Sequence, residues 1–141
     1  MPDFKIEAQW VAGEGQKAAD CIANTLGLSE SAAVEGHVFT TAEHFIEEYS
    51  NDAWRVEFMD HKEGGIVRWV LDAEKRYTMV YGPNQVTATM SAEAMGVAIT
   101  LFALYAVAAK YKSERTYEAY LRLIDVSRAL PEWHFIARMI D

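Results

Sequence analysis

The stretch MSAEAMGVAITLFALYAVAAKYK, residues 90–112, decides the fold of this chain. It carries no charged side chain from residue 94 to residue 109, and strong helix formers, alanine and leucine, dominate it. Ser91 is suited to cap a helix here, with Glu93 in its positive first turn. A helix that is apolar on all sides either spans a membrane or lies at the centre of a soluble protein. Because a span needs about 20 predominantly apolar residues, this shorter, alanine-rich run predicts a buried core helix.

The composition indicates an ordered and acidic protein. Of 141 residues, 51% are hydrophobic, and 21 acidic against 13 basic residues give a formal charge of −8. Nucleic-acid affinity rests on clustered lysine and arginine, which are scattered here, so we expect no direct binding to nucleic acid. A single cysteine, Cys21, fits a reducing cytoplasm. Residues 1–20 lack the pattern of a secretory signal, which also favours a cytoplasmic location. The length predicts a single domain over residues 1–141.

Four short strands are predicted between residues 54 and 89. They lie at residues 54–58, where apolar and polar residues alternate, and at residues 66–71, 77–81 and 85–89, and turn residues separate them. A separate strand is predicted at residues 4–10. Strands joined by tight turns form an antiparallel meander, and continuous apolarity at residues 66–71 indicates a strand covered on both faces.

Helical spacing predicts helices on both sides of these strands. Before them we expect a helix at residues 16–26, ended by Gly27, then a connector at residues 29–36 and a helix that starts at Thr40 or Thr41. After the central helix we expect helices at residues 114–130 and 131–139. Their predicted helical stripes consist of Tyr117, Tyr120, Leu121, Ile124 and Ser127 or Arg128 in the first, and of Trp133, Ile136 and Ile140 in the second. These elements predict an α+β fold with the meander packed on the central helix.

Residue types that usually carry catalysis form no recognisable site in this sequence. His44 shares a helical face with Glu47 and Glu48, but this spacing does not complete a metal site. Ser91 lacks a glycine-flanked elbow, and Cys21 lacks the neighbouring cations that favour a thiolate. We therefore predict no catalytic residue, no metal and no cofactor. An enzyme or small-ligand module built on His44 is an alternative that bound metal would support.

Aromatic residues are a second group with potential for recognition. They include Trp54, Trp69, Tyr77, Tyr81, Tyr105, Tyr117 and Tyr120. Their alternating and helical spacing indicates that most of them lie in the core, whereas the exceptions would form a surface that grips a protein.

The central segment resembles a known family. Residues 90–104 read M-S-A-E-A-x-G-V-x-x-T-L-F-A-L, which is similar to the most characteristic stretch of the plasmid-borne antirestriction proteins of the ArdB and KlcA type. Weaker similarities, such as the hairpin at Gly64-Gly65 and the break at Pro131-Glu132, extend the resemblance over residues 39–141. Residues 1–38 do not match the family well. The resemblance implies a compact α+β protein of a mobile element that protects incoming plasmid or phage DNA from host type I restriction-modification without being an enzyme.

Resemblance and acidic charge together indicate a protein partner. The resemblance implies a host type I restriction-modification complex, and the alternative is an inhibitor of another DNA-targeting defence, either an anti-CRISPR protein or a DNA mimic. A mimic needs closely spaced carboxylates, because DNA carries one charge per about 1.7 Å of helix axis. We expect no membrane partner, and a homodimer is compatible with a sheet that is apolar on both faces. The candidate partner-contact residues are Glu43, Glu47, Glu48, Asp52, Glu57, Asp60 and Glu63.

Overall fold

The computed structural model describes residues 10–13, 15–47, 49–50, 52–61, 64–81 and 86–140. Its elements in chain order are β1 (Val11–Gly13), α1 (Gly15–Leu26), α2 (Leu28–Phe45), β2 (Trp54–His61), β3 (Gly64–Leu71), β4 (Arg76–Tyr81), β5 (Val86–Ser91), α3 (Ala92–Tyr111), α4 (Glu114–Ser127) and α5 (Trp133–Ile140). Two antiparallel sheets, β1-β2-β3 and β4-β5, accompany the helices. The predicted α+β fold is confirmed, while the strand predicted at residues 4–10 lies outside the described residues except for Trp10.

Helix α3 is the central element, as predicted. Thirteen of its 20 residues are buried, and the Ser91 side chain caps it by accepting a hydrogen bond from the Ala94 N–H at 3.1 Å. By length and composition α3 would suffice to cross a membrane, but 72% of its most apolar window is buried inside the protein. This burial is the one expected of the core helix of a soluble protein.

One face of α3 closes the free edge of β3. The Trp69 N–H donates to Thr100 Oγ1 at 2.9 Å, and the same hydroxyl lies 2.7 Å from the Gly96 carbonyl oxygen and 3.1 Å from that of Trp69. A Cβ built on Gly96 would lie 2.5 Å from both the Trp69 carbonyl oxygen and Val70 Cα, so glycine permits this approach. Because the Trp69 peptide groups bind the helix, they are not available to a neighbouring strand.

The predicted four-stranded meander is divided into two hairpins. Strand β2 pairs with β3 from Trp54 opposite Leu71 to His61 opposite Gly64, and β4 pairs with β5 in the same antiparallel way. Within the described ranges β3 and β4 are not neighbours in a sheet. The reason is that α3 occupies the edge of β3 at which β4 would otherwise bind.

Helix α2 is longer than predicted. The supposed connector at residues 29–36 is helical, and the helix starts at Leu28 instead of at Thr40 or Thr41. Gly27 separates it from α1 with a φ of 98°, a conformation that other residues rarely adopt. The residues that α2 buries follow a spacing of four, namely Val34, Val38 and Ala42.

The last two helices bury partly different residues from those predicted. In α4, Tyr117 and Leu121 are each 45% exposed, and the buried residues are Thr116, Ala119, Arg122, Leu123 and Ser127. Small side chains at Thr116 and Ala119 let the helix approach the core closely, which leaves the larger ones outside. In α5 the burial of Ile136 is confirmed, whereas the other fully enclosed residue is Met139 in place of Trp133 or Ile140.

Candidate functional site

A chain of alternating charges connects the first sheet with the start of α3. On β2, Arg55 Nε contacts Glu57 Oε2 at 2.9 Å, and Arg55 also contacts Asp72 Oδ1 at 2.9 Å. Arg68, opposite Glu57 on β3, contacts Glu57 Oε1 at 2.7 Å and Glu93 Oε2 at 2.9 Å. Each arginine therefore bridges two carboxylates. We refer to Asp72, Arg55, Glu57, Arg68 and Glu93 as the charge chain.

Arg68 and Glu57 are the buried centre of the charge chain. Arg68 is 4% exposed and its guanidinium lies 3.9 Å from the centroid of the Trp10 ring. Glu57 is 8% exposed and uses both carboxylate oxygens on the two arginines. A buried ion is tolerated when it is paired and hydrogen-bonded, and here the pairs join β2, β3 and α3. Glu57, one of the predicted partner-contact residues, is therefore held within the fold by Arg68, eleven residues later.

A cleft of about 760 Å³ opens beside the charge chain, between the β3–β4 connection and the first turn of α3. Its charged lining carries both signs, with Lys75, Arg76 and Glu74 in addition to the charge chain. Arg76 contacts Glu132 Oε2 at 2.7 Å, and Glu132 Oε1 accepts from the Ser91 N–H at 2.9 Å. Burial opposes ionisation of Glu132, but these hydrogen bonds outweigh it and hold its pKa below the usual range. The charge chain is thus paired within itself, whereas Arg76 and Lys75 pair with Glu132 and Asp52 outside the cleft lining.

Three of the acidic residues predicted to contact a partner are exposed. Glu43 lies on α2, Glu47 directly follows that helix, and Asp60 lies near the end of β2. The Glu47 N–H donates to the Thr78 carbonyl oxygen at 2.8 Å, which attaches this segment to β4. Glu48 and Glu63 lie outside the described residues. The exposed carboxylates thus belong to separate elements of the fold.

Asp52 is the remaining member of the predicted acidic set, and it is bound within the protein. It accepts a hydrogen bond from the Tyr77 hydroxyl at 2.6 Å and pairs with Lys75 at 3.0 Å. The hydrogen bond from Tyr77, assisted by that from Lys75, lowers the pKa of Asp52. Burial and the nearby Asp52 carboxylate raise the pKa of Tyr77 in turn.

Potential metal ligands do not converge in the part of the chain that the structure describes. His44 is exposed on α2 with its ring 6.3 Å from that of Phe45, and no group of three or more histidine, cysteine, aspartate or glutamate side chains among the described residues is placed to hold a metal. The alternative of a ligand site built on His44 therefore gains no support from the geometry.

Exposed aromatic side chains gather on α3 and α4. Tyr105 is 56% exposed, and the half-buried ring of Tyr120 lies 5.5 Å from that of Tyr105 and 5.9 Å from that of Tyr117. Burial, together with the two neighbouring phenols, raises the pKa of Tyr120. We refer to Tyr105, Tyr117, Tyr120 and Leu121 as the tyrosine patch. The core positions predicted for Trp69 and Tyr77 are confirmed, but the patch was missed because α4 has two apolar stripes.

Comparison with known proteins adds family and fold relatives. A family model described as "Antirestriction protein" matches residues 47–141. Two uncharacterized proteins of Escherichia coli (strain K12), YafX and YfjX, are 30% and 29% identical over 108 residues, which is 77% of this chain and 70% of each relative. A solved structure from work on KlcA and ArdB aligns with this chain with a TM-score of 0.82 and 22% identity over 100% of both chains. The KlcA and ArdB proteins are described as showing a novel fold and antirestriction activity against type I DNA restriction systems in vivo but not in vitro. The structural likeness also covers the N-terminal part that the family model does not match.

Proposed function

The chain belongs to the antirestriction protein family, and on that premise we propose that it protects incoming plasmid or phage DNA from a host type I restriction-modification system. The observation that carries this proposal is the family match over residues 47–141. The fold shared with the KlcA and ArdB structure supports it, since those proteins are described as active against type I systems.

We propose further that protection results from binding to the restriction complex in the cytoplasm, without catalysis and without a cofactor. An enzyme that handles DNA presents basic surfaces, and a protein with a formal charge of −8 is electrostatically complementary to them. Exposed carboxylates such as Glu43, Glu47 and Asp60 are candidates for this contact, together with Glu48 and Glu63.

DNA mimicry gains little support as the mechanism. A mimic needs carboxylates in a row at the spacing of phosphates. In the predicted set, Glu57 is buried between two arginines and Asp52 is bound by Tyr77 and Lys75. The exposed members Glu43, Glu47 and Asp60 lie on α2, after α2 and on β2, which are separate elements.

A plating experiment tests the proposed function. Unmodified phage is plated on a host with a type I system, with and without expression of this protein, and we expect expression to raise the plating efficiency toward that of modified phage. A host without the restriction subunit and a host with a CRISPR defence are the controls, and the latter separates the alternative function. Restriction in living cells is the appropriate readout, given the in vivo but not in vitro activity described for KlcA and ArdB. An unchanged plating efficiency despite soluble expression would contradict the proposal.

A further inference from the structure

The tyrosine patch has the composition and order of a binding surface. Tyr105, Tyr117 and Leu121 are each about half exposed to solvent. Tyrosine supplies a large contact area with few rotatable bonds and is enriched where proteins bind each other. Since Tyr120 already contacts both other rings, little side-chain freedom remains to be lost on binding.

A depression beside the patch can receive an apolar side chain. It has a volume of about 270 Å³ and is lined by Leu101, Phe102, Tyr105, Tyr120 and Ile140. The ring of Phe102 in this lining stacks on that of Phe45, with 6.2 Å between the ring centroids. A recess with aromatic walls next to exposed tyrosines is the arrangement found at the energetic centre of many protein interfaces.

An acidic edge borders the patch along α4. Glu114 and Glu118 are exposed, and at about 100° per residue they lie on one line of the helix, next to the line of Tyr117 and Leu121. The two arginines of α4 point elsewhere. Arg115 donates to the Asn24 and Thr25 carbonyl oxygens of α1, and Arg122 donates to the Gly65 carbonyl oxygen at 2.9 Å.

The acidic edge selects the kind of partner. A symmetric dimer that packed α4 antiparallel to its copy through this face would bring the two acidic edges together, and like charges in an interface are unfavourable. We propose that the tyrosine patch and its acidic edge bind a protein surface on which aliphatic or aromatic side chains are bordered by lysine and arginine. This inference rests on the proposed function, because a complex that grips DNA must present basic surfaces.

Paired variants test the docking surface in the plating experiment. Tyr117→Ser combined with Leu121→Ser should weaken partner binding about tenfold or more and reduce protection. Tyr111→Ser, at a tyrosine that is 52% exposed on α3 and lies outside the patch, should leave protection unchanged. Glu118→Lys should also reduce protection, and Glu35→Lys, the same charge change on the exposed side of α2, should not. Thermal unfolding of each purified variant confirms that the fold is kept. Equal protection by patch and control variants would overturn the inference while leaving the proposed function intact.

A photo-crosslinking residue placed at position 117 provides a readout that does not depend on protection. In a restricting host we expect a crosslink to a subunit of the restriction complex, within a peptide that carries lysine or arginine beside apolar residues. The same residue at position 111 should give no such product. If the wild-type protein does not protect, the proposed function fails, and this crosslink still decides the docking surface. A crosslink only to a second copy of this chain, or none, would overturn the inference.

Discussion

The two halves of α3 differ in what surrounds them. Up to Leu101, every side chain except that of Glu93 is buried, and the helix contacts the β3 backbone through Gly96 and Thr100. In the second half Tyr105, Ala109, Lys110 and Tyr111 face solvent. The recognised motif at residues 90–104 falls mainly in the first half, and the family assignment it indicated is confirmed. The motif therefore reflects the packing of α3 against β3. Exposed surfaces, such as the one on the second half of α3, are the places to look for partner binding.

The largest expected effect is at Gly96. Gly96→Ala places a Cβ 2.5 Å from two backbone atoms of β3, which cannot move aside as a side chain would, so we expect a loss of about 3 kcal/mol or more in the free energy of unfolding. Urea denaturation measures it. Gly36→Ala is the matched control, because nothing lies within 4 Å of the added methyl group in α2 and helix propensity should stabilise the protein by about 0.5–1 kcal/mol. Equal stability of the two variants would contradict the close approach of α3 to β3.

The second-largest effect on the free energy of unfolding is expected in the buried charge chain at the start of α3. Glu57→Gln keeps the shape of the side chain but removes the charge that holds Arg68, and we expect a loss of about 2–3 kcal/mol, moderated by the remaining contact with Glu93. Asp72→Asn, at the exposed end of the same chain, should change stability by about 0.5 kcal/mol or less. Chemical denaturation of both variants provides the comparison, and a larger effect at Asp72 would show that the buried pair is not the stabilising one.

Thr100 tests the hydrogen bonds between α3 and β3. Thr100→Val keeps the shape but leaves the Trp69 N–H without its acceptor, which should cost about 1–2 kcal/mol. Thr100→Ser retains the hydroxyl and should lose less. Hydrogen exchange of the Trp69 amide gives a local measurement, since its protection should fall in the valine variant only. Unchanged protection there would argue that another acceptor serves this edge of β3.

The sequence predicted those parts of the fold that local patterns determine. Uninterrupted apolarity and the Ser91 cap were sufficient for α3. Alternation at residues 54–58 and continuous apolarity at residues 66–71, with Gly64-Gly65 between them, were sufficient for the β2–β3 hairpin. The division of the sheets was missed because it depends on a contact between Thr100 and Trp69, 31 residues apart. The start of α2 was missed because alanines and serines give weak apolar periodicity.

The candidate site was predicted less well, for a related physical reason. Glu57 looks like an exposed strand residue until Arg68 is placed opposite it in the β2–β3 register. On α4 the sequence offers two apolar stripes, and only the close packing of Thr116 and Ala119 decides which of them faces the core. Tyr117 and Leu121 were therefore assigned to the core although they lie on the surface.

The smallest expected effect concerns the exposed half of α3 and its neighbour Tyr120. Burial raises the pKa of this phenol, and the nearby Tyr117 and Tyr105 add to the shift. Because the pKa is higher in the folded protein, the unfolded chain loses the phenol proton first as the pH rises. The contribution of Tyr120 to the free energy of unfolding is therefore complete below about pH 10 and is lost as the pH rises through the folded-state pKa. Tyr120→Phe has no proton to lose, and the free energy of unfolding of the wild type should fall relative to that of the variant above about pH 10, whereas the difference should stay constant between about pH 6 and 9. Urea denaturation across this pH range measures the difference in the free energy of unfolding. A difference that did not change with pH would mean that Tyr120 is as solvated in the folded protein as in the unfolded chain. The tyrosine patch would then lack its pre-organised centre.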